Sequence, residues 1–252
     1  MISLVAAAVM STAPDWDQDS SRWFVSTRLD AGLMARAAIH AGYGRPFWLW
    51  AGFQSTATIT YDFFSIASGL RLSLPMVEFT AEYRRTESFR RGALPGQSAY
   101  TSGDLGRTER QGYDAVDLDL WTVLPFPYGF VFAEGLGTWM ADDETRYEEL
   151  LRVIGQGWCG AVRGGVGARL GERGWMRFGA MTEAAWSERN KDPTVRVGPS
   201  VQLVFGRHVD VVIAALWQVA GVDTLHFLDG MTGALALRWR AASGDEAPLG
   251  FP

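Results

Sequence analysis

Residues 25–43, VSTRLDAGLMARAAIHAGY, carry a nearly unbroken two-residue period. The odd positions Val25, Thr27, Leu29, Ala31, Leu33, Ala35, Ala37, Ile39, Ala41 and Tyr43 hold no charge, whereas the even ones include Arg28, Asp30, Arg36 and His40. Side chains of a β-strand alternate between two faces, so the pattern predicts an extended segment dividing two different surroundings. A helix across a lumen is the competing reading, because Arg28, Gly32, Arg36 and His40 recur every four residues and Ala, Leu, Met and Arg favour helix. Asp30 and the uncharged odd positions favour the strand.

The same period returns along the chain. Phe47, Leu49, Ala51, Phe53, Ala57 and Ile59 oppose Gln54, Thr56 and Thr58, and Ile66, Leu70 and Leu72 oppose Ser65, Ala67, Gly69, Arg71 and Ser73. Val77, Phe79, Ala81 and Tyr83 oppose Glu78, Thr80, Glu82 and Arg84; Val116, Leu118 and Leu120 oppose Asp117 and Asp119. YGFVFAEGLGTWM (128–140), the segments 150–170, 175–186 and 195–205, and finally 210–222 and 225–240 complete the set. One alternating segment is weak evidence, but this succession, with almost no helical competitor, indicates an antiparallel all-β chain. Each segment reaches about 10 residues, longer than the 5–6 usual in soluble strands and suited to tilted membrane-spanning ones.

The connections divide into two kinds. GYGRP, LPM, PFPYG, GERG and GRHV are tight, whereas RRGALPGQSAYTSGDLGRTERQG, ADDETRYEE, SERNKDP and AGVDT are longer and polar; the link at Tyr61–Asp62 is short and breaks the rule. Sorting of this kind implies different solvents at the two ends. Tyr43, Phe47, Trp48, Trp50, Phe126, Tyr128, Trp175 and Phe205 cluster near tight turns, and Tyr61, Phe63, Tyr83, Phe89, Trp139 and Trp186 near the opposite rim, as aromatic girdles would.

On these dyad repeats, sorted loops and aromatic strand ends, the chain resembles a bacterial outer-membrane β-barrel protein over about residues 24–240. The resemblance implies a closed antiparallel barrel of 10–12 strands in a Gram-negative outer membrane. Short turns would face the periplasm, and membrane lipid and lipopolysaccharide would be its partners. Eleven candidate strands are counted, but such barrels have even numbers; twelve is preferred, and ten follows if 25–43 is a helix. The ending APLGFP departs from the usual terminal aromatic, a part that Trp239 would then play. Residues 1–22 read as a signal-peptide remnant with a polar linker, 23–240 as the barrel and 241–252 as a tail.

A net charge of −5 offers no basic excess to neutralise phosphates, which excludes nucleic acid as an expected partner. Cys159, the lone cysteine, permits no intrachain disulfide or cysteine metal cluster and reads as a small buried or lipid-facing thiol. No metal or cofactor motif occurs; the glycines of GAVRGGVGARLG read as relief for strand bending. ADDETRYEE reads as a solvated loop, with Ca²⁺ binding as a lesser alternative.

An Arg facing lipid at mid-depth costs roughly 2–4 kcal/mol, so charges in the strands belong inside. The lumen-lining candidates are Arg28, Asp30, Arg36, Glu78, Glu82, Arg84, Asp117, Asp119, Glu134, Arg163, Arg177 and Glu183. They support either a wall braced by Arg–carboxylate pairs or a narrow passive channel for small polar solutes. An outer-membrane hydrolase or acyltransferase using His226, near Asp229, or His40 is an alternative, as is a soluble β-barrel binding an apolar ligand.

Overall fold

A computed structural model of the protein describes residues 16, 19–89, 92–96, 100, 104, 111–141, 144–171, 175–188, 193–221 and 231–243. His226, Asp229, the expected signal-peptide remnant and most of the C-terminal tail lie outside these residues. The strands are β1 (Arg22–Gly32), β2 (Ala35–Arg45), β3 (Leu49–Ile59), β4 (Phe63–Ser73), β5 (Val77–Ser88), β6 (Gly112–Phe126) and β7 (Gly129–Met140). They continue with β8 (Arg146–Glu148), β9 (Val153–Gly155), β10 (Trp158–Leu170), β11 (Met176–Ser187), β12 (Thr194–Phe205), β13 (Val209–Ala220) and β14 (Met231–Ala242). Twelve of them pair antiparallel in sequence order into a closed barrel, β1 meeting β14, while β8 and β9 form a separate ribbon. An 11-residue strand tilted as in such barrels rises roughly 25–30 Å, the height of the apolar band of outer-membrane barrels.

The stretch 25–43 is neither one strand nor a helix. It is a hairpin, β1 and β2 turning at Leu33–Met34. In the register Leu29↔Ala37 and Ala31↔Ala35, odd residues meet odd ones, and directly paired residues share a face. The alternation therefore runs through the turn without a phase break, which hides the turn from a two-residue reading. Dividing this segment accounts for the even strand number.

A second correction concerns the expected strand 150–170 and the solvated loop before it. The wall strand starts only at Trp158, and β8 and β9 fold inward; Tyr147, Glu148, Glu149 and Leu151 are all buried. Gly155 sits so close to the wall that a Cβ there would lie 2.2 Å from Cys159 Sγ, so glycine is the residue that fits. Cys159 faces inward and is buried.

The exterior is apolar around the whole circumference, with Leu33 at 64%, Phe79 at 41%, Leu118 at 38%, Val166 at 53% and Leu237 at 50% exposure. The exception lies near the loop-side ends of β5 and β6, where Arg85, Glu87 and Asp114 pair on the outer face, against the expectation that strand charges point inward. A soluble barrel with an apolar lining requires the reverse arrangement. Closure leaves no sheet edge, so every wall strand finds hydrogen-bonding partners on both sides, as hydrocarbon demands. Most of the rim aromatics point outward, including Tyr43, Tyr61, Tyr83, Tyr128, Trp139, Trp175 and Phe205. Trp50 and Phe63 do not: both face inward and are buried, and Phe47 and Trp48 pack on Trp16.

Candidate functional site in the barrel lumen

Strand parity settles which side chains enter the lumen. In β5, Glu78, Glu82 and Arg84 alternate with outward Val77, Phe79 and Tyr83; in β6, Asp117 and Asp119 alternate with Val116, Leu118 and Leu120. Arg28 and Asp30 of β1, Arg36 of β2, Glu134 of β7, Arg163 of β10, and Arg177 and Glu183 of β11 lie on the corresponding inward registers.

Most of these groups are engaged in pairs that cross strands. Arg163 donates to Glu183 Oε2 at 2.6 Å and to Glu134 Oε2 at 3.0 Å, and Arg196 donates to Glu183 Oε1 at 2.6 Å. Asp30 accepts from Arg28 at 2.7 Å and from Arg238 at 3.0 Å, while Asp210 accepts from Arg240 and from Gln202 at 2.8 Å. These sets brace β7 to β12 and β12 to β1. Arg84 donates to Asp117 at 2.6 Å and to Glu148 of the ribbon at 2.7 Å. Arg71 joins Glu78 at 2.5 Å and Gln54 at 2.9 Å; Gln54 in turn donates to Glu82 at 2.9 Å. Burial of ions in pairs with further hydrogen bonds is what keeps such groups ionised inside a protein.

A cavity of about 140 Å³ lies in the lumen, lined by Arg28, Arg36, Glu78, Glu82, Asp117, Asp119, Glu134 and Arg163 of the sequence-derived set, and by Arg71, Gln54, Thr80 and Thr138. It has room for several waters and ample polar partners for them. Asp30, Arg84, Arg177 and Glu183 lie outside its lining. Arg177 reaches Gln202 at 3.4 Å instead.

Further groups narrow the lumen on both sides of this chamber. On the loop side, Leu150 and Leu151 at the ribbon's tip line the cavity, and Glu148 is anchored by Arg84 and by the Tyr113 hydroxyl at 3.3 Å. Leu94 and Tyr100 of the β5–β6 loop pack on Tyr147 of the ribbon. On the turn side an apolar cluster of Trp121, Val123, Phe130, Phe132, Met181, Val212 and Leu216 fills the lumen. Phe130 and Phe132 reach over β10, where a Cβ on Gly167 or Gly165 would lie 2.4 Å from their rings; these glycines make room for aromatics. Further out, wholly buried Trp16 sits against Phe47 at 4.8 Å and beneath the Arg207 guanidinium at 3.8 Å, between the β2–β3 and β12–β13 turns.

His40, the other catalytic candidate, is buried at the turn side. Its Nδ1 lies 3.2 Å from Ser26 Oγ, its Nε2 has no hydrogen-bond partner among the described residues, and Trp50 and Phe47 cover it at 5.3 and 5.6 Å. Among the described residues no carboxylate orients the ring from Nε2, so there this Ser–His contact lacks the third group of a triad.

Several lumen residues were absent from the sequence-derived set. Arg196 and Arg71 carry the same alternation signal as the others. Arg238, Arg240 and Asp210 carry it too, alternating with Leu237, Trp239 and Val209–Val211. Glu148 carries none, because the ribbon is not part of the wall.

Closed antiparallel walls, greasy outside and ionic inside, make this a membrane-spanning β-barrel of the kind outer membranes hold. No family model matches the chain, and no curated protein matches it. Among solved structures it is similar to one from work on the mechanism behind in-meso crystallization of membrane proteins, at 9% identity and TM-score 0.46 over 89% of this chain and 85% of that one. It is also similar to the NanC porin in a rhombohedral crystal form, at 9% identity and TM-score 0.36 over 88% of this chain and 98% of that one. The loop L8 deletion mutant of OmpT, an outer membrane protein of Vibrio cholerae, is similar at 7% identity and TM-score 0.37 over 89% and 100%. None of these lends a residue or an activity to this chain.

Proposed function

We propose that the protein is a narrow channel for small polar solutes, closed in this conformation by the β8–β9 ribbon on the loop side and by the apolar cluster around Phe130 and Phe132, with Trp16 beyond it, on the turn side. The observation that carries the reading is the chamber: a polar cavity of about 140 Å³ kept open in a lumen otherwise filled by ion pairs and apolar rings. A barrel that served only as a wall has no need of unfilled space lined by both signs of charge. Twelve strands enclose a lumen between the filled 8-stranded barrels and the aqueous 16-stranded porins, so the solute is small.

Planar-bilayer recording tests this. The full chain is compared with a variant in which residues 146–155 are replaced by a short Gly–Ser linker and Trp16, Phe130 and Phe132 are changed to Ala. Rare, small steps from the full chain and frequent larger ones from the variant support the channel. Silence from both supports the second reading, a structural wall element, which the ion-pair belts between β7 and β12 and between β12 and β1 favour.

A further inference from the structure

The charges that line the chamber are not all spent. Arg28 is taken by Asp30, Arg71 by Glu78, Arg163 by Glu134 and Glu183, and Asp117 by Arg84 and the Thr138 hydroxyl. Two groups remain. Arg36 makes no ion pair or hydrogen bond among the described residues, yet its side chain lines the cavity. Asp119 lines it as well, and its Oδ1 is buried with no hydrogen-bond partner among them. Glu82, held by the Gln54 amide at 2.9 Å, makes no salt bridge among the described residues, and Arg36 acts on it only through space.

The two unspent groups have opposite signs and come from β2 and β6, with β3, β4 and β5 between them in the wall. They therefore face the chamber from different sides and do not meet each other. Asp119 also shares its surroundings with the carboxylates of Glu134 and Glu78, which outweigh the more weakly acting guanidinium groups of Arg163 and Arg71. A cation beside Asp119 would relieve that crowding, and an anion beside Arg36 would complete a guanidinium that has five donors. A single molecule meets both needs when it carries one charge of each sign. The cavity is smaller than the roughly 300–1,000 Å³ of sites for drug-sized ligands, so that molecule is small.

We infer that the chamber binds a small zwitterion, an amino-acid-like solute whose carboxylate accepts from Arg36 and whose ammonium donates to Asp119. The site itself is an equilibrium binding site; only its meaning as the solute selector of a channel rests on the proposed function above. A buried charged group left unpaired is costly, and a ligand that pairs both groups recovers that cost in binding.

The test separates the two ideas. The full chain is refolded from urea into detergent micelles in the presence of radiolabelled glycine, so that entry through closed ends is not a variable, and retained label is measured by equilibrium dialysis. Labelled acetate and methylammonium serve as single-charge controls, and the heat-dependent gel shift verifies folding of each sample. About one glycine retained per chain is expected, at least tenfold above either control, with a tenfold or greater loss in Arg36→Gln and in Asp119→Asn. Equal retention of acetate or methylammonium, retention unaffected by both substitutions, or no retention by a folded wild-type barrel overturns the inference. Conductance in bilayers without glycine retention would leave the channel standing and this site refuted; retention without conductance would do the opposite.

Discussion

Arg84 of β5 donates to Glu148 of the ribbon at 2.7 Å, and the two side chains are almost completely shielded from solvent. That contact ties the wall to the segment that fills the loop-side mouth. It is reinforced by the Leu151 backbone N–H, which donates to the other Glu148 oxygen at 2.5 Å.

Removal of Arg84 leaves the Glu148 carboxylate buried without its cation, a loss of about 3–5 kcal/mol for pairs of this kind. Arg84→Met is expected to lower the temperature of the heat-dependent gel shift and to raise the open probability in bilayers. The double variant Arg84→Met/Glu148→Gln, which removes both charges, recovers part of the thermal loss.

Cys159 reports directly on the ribbon, since the chain has no other thiol. It is buried beneath Gly155. In the wild type it is expected to resist maleimide under native conditions. Gly155→Leu cannot keep the ribbon seated and should raise the labelling rate at least tenfold, read by mass spectrometry.

The ribbon lies on one side of the chamber, and the apolar cluster with Trp16 beyond it lies on the other, so their resistances add in series. Trp16→Ala loses the Arg207 stacking contact, worth about 0.5–2 kcal/mol, yet on its own leaves bilayer conductance near the wild-type level. Combined with the shortened ribbon and with Phe130→Ala and Phe132→Ala, it should increase conductance beyond that of the shortened ribbon alone.

The same substitution should have opposite consequences at neighbouring wall positions. Leu118→Arg places a guanidinium in lipid and costs roughly 2–4 kcal/mol at mid-depth. Thr80→Arg faces the chamber in register with Asp119, an unpaired carboxylate, and should fold at near wild-type yield. Urea titrations of folding into phospholipid vesicles measure the difference.

How much of this architecture was legible in the sequence depended on whether parity carried the information. The wall did: Leu118 and Asp119 differ by one position and face different media, so the alternation in β6 is sharp and its orientation could be read. The β1–β2 turn did not, because its even register preserves parity through Leu33 and Met34. The ribbon was hidden for a different reason. Tyr147, Glu148 and Leu151 are buried by what surrounds them in space, and a polar, acidic stretch of chain looks the same whether it meets water or a buried arginine. The turn-side apolar cluster was missed because Phe130 and Phe132 alternate with small outward residues, Val131 and Ala133, so both faces of β7 read as apolar. Which charges stay unpaired, as Arg36 and Asp119 do, follows only from distances between strands far apart in sequence.

The most direct measurement is a nitroxide scan over residues 117–120 in a Cys159→Ser background, with the folded protein in phospholipid vesicles. Collision with molecular oxygen, which concentrates in lipid, is compared with collision with a water-soluble nickel chelate. Oxygen accessibility should peak at 118 and 120 and fall at 117 and 119. A flat profile, or peaks at 117 and 119, would contradict a barrel that turns its apolar residues to lipid and its ions to a closed lumen.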